Sequence, residues 1–193
     1  STLKGAALAA LGLPAGESWH PEKAAASLKG NRIVGLYTGG TLAAEAQVIL
    51  LQAGLAVSSN APIPGAARLS DQTTGHCLID LGDDAYTRGR PHPMIEPSVR
   101  SAPLRDACRD ATIGVILADV VIGHGAHADP AGEFLKSLES ARSDRPLIVA
   151  SVTGTDDDPQ DRSRQIERLQ EAGIVVAPTN ADAAAFAVSL IQA

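Results

Sequence analysis

The chain has 193 residues, a formal charge of −6, and 45% hydrophobic residues of which few are aromatic. That length suits one domain with a short appendage, and an apolar content carried by Ala, Val, Ile and Leu favours helices packed on a buried sheet. An acidic balance without a basic run argues against nucleic acid or an acidic membrane, and leaves a small molecule or another protein as the expected partner.

No apolar run approaches the roughly 20 residues of a membrane span, and the start lacks a signal-peptide pattern, so a cytoplasmic protein is expected. The first residue is Ser, which suits a processed chain or a piece of a longer one. Cys77 and Cys108 have neither metal-ligand spacing nor a disulfide framework and read as buried thiols.

Residues 1–31 read as an arm or linker. A short helix over 1–13 ends at Gly12 and Pro14, a brief helical patch covers 24–28, and Trp19 between them pins the arm to the body or to a partner. From Arg32 strands and helices alternate, and residues 32–193 form the expected domain. The first strand, Ile33 to Tyr37, runs through Gly39-Gly40-Thr41 into a helix over 42–53 that Gly54 closes. Two glycines let an anion approach the main chain, Thr41 serves as N-cap, and the free N–H groups of the helix start carry partial positive charge. Such a turn cradles phosphate or carboxylate; the alternative is an ordinary strand-to-helix turn.

Residues 55–74 are rich in Ser, Asn, Pro and Ala and read as one long loop. Further strands are expected at 76–81, 112–122, 146–152 and 174–177, and further helices at 98–109, 130–141, 160–172 and from Asn180 or Asp182 to the end. Residues 86–97 hold three prolines and read as loop. Five buried strands with intervening helices predict a parallel sheet covered on both faces, with ligands beyond the carboxyl ends of its strands. Four unusual loops meet at that edge: 39–41, 82–93, 123–129 and 153–158.

Arg88, Arg90 and His92 offer two guanidinium forks and an imidazole for an anion, or alternatively a latch onto Asp83 and Asp84. Those two aspartates have no third ligand in view, and no metal is expected. His124 and His127, three apart in a loop, suit a phosphate nucleophile or a general acid and base. Thr153 and Gly154 repeat the chemistry of the first turn, while Asp156 to Asp158 read as a helix cap and solvated surface. The chain contains no GxSxG elbow, no P-loop and no GxGxxG after its first strand, which removes the residues that serine hydrolases, P-loop NTPases and NAD dehydrogenases need.

The segments GLYTGGTLAAEAQVIL, HCLIDLGDDAYTRGRPHPMIEPSVR and VVIGHGAHADPAGEF resemble the carboxyl-terminal part of the FdrA proteins, relatives of succinyl-CoA synthetase and the NDP-forming acyl-CoA synthetases. The resemblance implies a three-layer, flavodoxin-like α/β domain of about five parallel strands. It further implies that Gly39-Gly40-Thr41 is one of the helix starts that face a phosphorylated histidine. His124, in GHGAH, is similar to the phosphohistidine loop GHAGA of the synthetase alpha subunit and becomes the catalytic candidate. Gly39, Gly40, Thr41, Arg88, Arg90, His92, Thr153 and Gly154 are the anion-binding candidates. Phosphate, acyl phosphate or carbamoyl phosphate is the implied ligand, whereas CoA and nucleotide are not implied for this chain alone, because the CoA-binding-like domain of full-length family members is not in it. An oligomer with partner subunits is expected, acting as a ligase component or as part of an oxamate carbamoyltransferase. The rival expectation is a non-catalytic assembly subunit.

Overall fold

The computed structural model describes residues 2–14, 19–21, 28–70, 73–139 and 145–193. Seven strands in them form one parallel sheet: β1 Arg32–Tyr37, β2 Val57–Ser59, β3 Ala67–Arg68, β4 His76–Asp80, β5 Ile113–Val121, β6 Leu147–Thr153 and β7 Val175–Ala177. Their order is β3-β2-β4-β1-β5-β6-β7. Without the two short outer strands this is the order of a flavodoxin-like sheet, whose switch point lies between β1 and β5.

Continuous Val, Ile and Leu in β1, β5 and β6 suit strands buried on both faces. One face is covered by α2 (Gly40–Gln52) and α7 (Asn180–Gln192), whose Ala43, Ala46, Ala183, Ala184 and Ala187 pack with Ile33, Tyr37, Val115, Leu117 and Val149. The other is covered by α4 (Ser101–Arg109), α5 (Pro130–Lys136) and α6 (Arg162–Glu171), which bring Leu104, Phe134 and Leu169 onto Leu36, Ile116, Val120 and Ile148. Three layers result, as expected. No helix among the described residues is long and apolar enough to cross a membrane.

Several expectations need correction. The stretch 55–74 is not one loop, because the backbones of β2 and β3 extend the sheet from five strands to seven; Asn60 anchors the segment by exchanging two side-chain bonds with the Asp80 backbone, each 2.9 Å. Thr41 is not the N-cap. The helix begins at Gly40, Gly39 is its cap residue, and φ −161° there is extended backbone open to any residue. The first two residues of the loop expected over 86–97 close one turn of helix, α3 (Asp84–Thr87), and the helix expected from Ser98 starts as a 3-10 turn over Pro97–Arg100. The helix predicted for 130–141 ends as α5 at Lys136, and residues 140 and 141 of it lie outside the described residues, as do 24–27 of the predicted patch.

The arm helix α1 (Leu3–Ala10) buries none of its residues and is held at its first turn. Leu3 and Lys4 donate their N–H groups to Glu45 Oε1 at 2.6 and 3.3 Å, and Lys4 Nζ pairs with Asp182 at 2.6 Å. Trp19 meets Phe186 edge-on with ring centres 5.6 Å apart, so it pins the arm to the body.

Candidate functional site

At the switch point β5 carries a carboxylate, Asp119, where the strand is otherwise apolar. Asp119 is fully buried, and Oδ1 accepts from Thr38 N–H at 2.8 Å and from Arg100 at 2.7 Å, while Oδ2 accepts from the Thr38 hydroxyl. A second guanidinium nitrogen of Arg100 donates to the Asp119 carbonyl at 2.7 Å, and the guanidinium lies 5.4 Å from the Phe134 ring centre. Burial pushes the Arg100 pKa down and the Asp119 charge opposes that shift. The bonds of this deep ion pair leave only Arg100 Nε buried without a partner among the described residues, and those to Asp119 fix Thr38, the residue that leads into α2.

In a parallel register, partnered residues put their side chains on one face. Tyr37 pairs with Asp80, Asp119 lies one residue beyond the Leu36–Ala118 pair, and Asp119 pairs with Ser151. A polar row of Asp80, Tyr37, Asp119 and Ser151 therefore crosses four strands beneath the starts of α2 and α7. The Tyr37 hydroxyl and Ser151 Oγ are buried without a partner among the described residues. Burial, then the charges of Asp119 and Glu45, push the Tyr37 pKa well up, which keeps the phenol neutral.

Asp80 connects this row to the glycine turn. Its Oδ1 accepts from Gly82 N–H at 2.8 Å, and its Oδ2 stands 2.9 Å from the place a Cβ on Gly40 would take. A side chain at position 40 would thus displace a carboxylate of the chain itself. A Cβ on Gly82 would lie 2.7 Å from His92 Nε2, 2.8 Å from the Thr38 carbonyl oxygen and 3.1 Å from Asp80 Oδ1, which brings the imidazole, that carbonyl and the carboxylate around one point. His92 Nδ1 accepts from Met94 N–H at 3.3 Å, so in the neutral ring the proton sits on Nε2. Burial pushes the Asp80 pKa up, against the pull of the Gly82 N–H bond and of His92.

Of the predicted residues, Gly39, Gly40 and His92 gather here, and Thr41 lies exposed in the first turn of α2. Arg88 and Arg90 are exposed on the loop after α3, and neither pairs with a described residue. The expected latch is absent among the described residues: Asp83 caps α3 instead, accepting from Ala85 N–H at 2.9 Å. His124 is exposed in the loop after β5. His127 is half-buried; its N–H donates to Met94 O at 2.7 Å and its Nδ1 accepts from Asp129 N–H at 3.1 Å, which ties that loop to the His92 loop. Beyond Thr153 and Gly154 the acid run serves the chain itself: Asp158 accepts from Thr155 N–H at 2.7 Å, and Asp156 from Ser163 N–H at 2.7 Å at the start of α6. Among the described residues no three His, Cys, Asp or Glu side chains gather to hold a metal ion.

Sequence reasoning missed Asp80, Arg100 and Asp119. The signal for Asp119 is its place in TIGVILADVVI, since a carboxylate inside a buried strand needs a cation. Arg100 gives no such signal, because it lies in a segment that reads as an ordinary helix start.

The CoA-ligase family model matches residues 36–190. The chain is 35% identical over 167 residues to the uncharacterized protein YahF of Escherichia coli (strain K12), an alignment covering 82% of this chain and 32% of that protein. The chain thus spans about a third of the length of this relative. The family match reaches from β1 into α7 and takes in the switch point and the glycine turn, so the chain belongs to the CoA-ligase family.

Proposed function

We propose that this chain is an FdrA-type, acyl-CoA synthetase-like subunit that handles phosphate, or acyl or carbamoyl phosphate, at the start of α2, inside a multi-subunit enzyme. The observation that carries the reading is the α2 start. It opens at the switch point of a CoA-ligase family domain with no side-chain cap, and among the described residues no acceptor takes the N–H groups of Gly40, Thr41 and Leu42. Free N–H groups at a helix start bind anions well. His92 is the imidazole beside this start, so we take it rather than His124 as the ring that meets the anion. Arg88 and Arg90, exposed and unpaired with described residues, are available to a second anionic group or an acidic partner surface.

The test is reconstitution. The chain is mixed with the products of adjacent genes and assayed for acyl-CoA formation from ATP and for carbamoyl phosphate formation from oxalurate and phosphate. The reading expects activity in the mixture that Gly40→Ala lowers by about a hundredfold, since a small displacement at a reacting group costs that much. A mixture whose activity is untouched by Gly40→Ala and His92→Ala would instead support an assembly subunit.

A further inference from the structure

The constellation around the α2 start contains donors, one charged acceptor and the neutral Thr38 carbonyl, which lies 2.8 Å from the place a Cβ on Gly82 would take. The donors are the N–H groups of Gly40, Thr41 and Leu42 in a helix of 13 residues, together with His92 Nε2–H. The charged acceptor is Asp80 Oδ2. Asp80 is 8% exposed, its Oδ1 is occupied by Gly82 N–H, and its Oδ2, which takes no bond from a described residue, is aimed at Gly40. A purely anion-seeking site would hold donors alone. We propose that Asp80 makes this site selective for an oxyanion that carries a proton, inorganic phosphate or a protonated phosphoryl group, over one that carries none.

The physical reason is complementarity. Monohydrogen phosphate presents bare oxygens to the helix N–H groups and to His92, and one P–OH that donates to the ionised Asp80. Sulfate matches phosphate in size and charge but has no proton to give, so one of its oxygens must face a carboxylate oxygen. Like-charged acceptors forced together in a partly desolvated site act as a repulsive selector. The groups facing Asp80 are His92, Asp83 and Asp119, with Tyr37 beside it on β1 and Asn60 bonded to its backbone. Burial and the two aspartates raise its pKa and His92 lowers it, so selectivity is measured at pH 8. The inference rests on the reading of α2 as an anion site and narrows what that site accepts.

The experiment titrates the full chain at pH 8 and constant ionic strength with phosphate, arsenate, sulfate and selenate, following the amide NMR shifts of Gly40 and Thr41. Phosphate and arsenate carry a proton at this pH, whereas sulfate and selenate do not. We expect the protonated pair to bind about tenfold or more tightly, the scale set by one hydrogen bond to a charged group. In Asp80→Asn the amide keeps an oxygen for Gly82 N–H and replaces Oδ2 by a donor, so sulfate is expected to bind as tightly as phosphate. Equal binding of all four anions by the wild-type chain, which needs no variant to observe, overturns the selectivity and leaves the anion site standing. Selectivity retained in Asp80→Asn overturns the role of Asp80. If none of the four anions moves these amides, the anion reading of α2 falls and the inference falls with it.

Discussion

Asp119 decides more than any other residue how the carboxyl edge is built. It is the buried carboxylate that holds both the N–H and the hydroxyl of Thr38, and it neutralises Arg100. Removing one partner of a buried pair leaves an uncompensated charge, so Asp119→Ala should cost about 3–5 kcal/mol, read from urea unfolding. Replacing both partners, as in Asp119→Leu with Arg100→Met, should cost less than the single change. A double variant less stable than Asp119→Ala would mean that the hydrogen bonds to Thr38 outweigh the ion pair. Asp80 and Asp119 also mark how far single residues can be read from the sequence. Asp119 is conspicuous within apolar neighbours, while Asp80 closes an ordinary strand and gains meaning only once Gly40 and His92 are folded against it.

At the scale of elements, the long alternating segments from β1 through α7 were legible because their apolar runs and glycine stops have local causes. The outer strands β2 and β3 were not, because Val57–Ser59 and Ala67–Arg68 are too short and too polar to carry a period, and their placement comes from backbone pairing of β2 with β4 and of β3 with β2. The start of α2 was legible in place and misread in detail. Thr41 looks like a cap, yet the helix begins before it, against an aspartate from the neighbouring strand. At the opposite edge, β1 is pinned to β4 by His76, whose Nδ1 accepts from Ile33 N–H at 3.0 Å. Burial, and secondarily the charge of Arg32, pushes the His76 pKa below its ordinary value. The folded chain therefore binds this proton less readily than the unfolded chain, so the contribution is present above about pH 6.5 and is lost as pH falls through the folded value. The urea midpoint should decline below about pH 6.5 in the wild type and decline less in His76→Gln. An identical decline in the two would remove His76 as the cause.

For the whole molecule, one edge of the sheet gathers the switch point, the uncapped helix start, His92 and the two exposed arginines, and the opposite edge carries structural pairs such as Arg32 with Asp110. The arm lies on α2 and α7, where Glu45 and Asp182 receive it. An acidic chain with this arrangement draws anions to one place only where local donors outweigh its net charge, which is what the α2 start supplies. The most direct test is a crystal structure of the chain grown with inorganic phosphate. The account predicts phosphate at the start of α2, within hydrogen-bond reach of the Gly40 and Thr41 N–H groups, with His92 and Asp80 on it. Phosphate held only at Thr153 and Gly154, or an edge left empty at saturating phosphate, would contradict it.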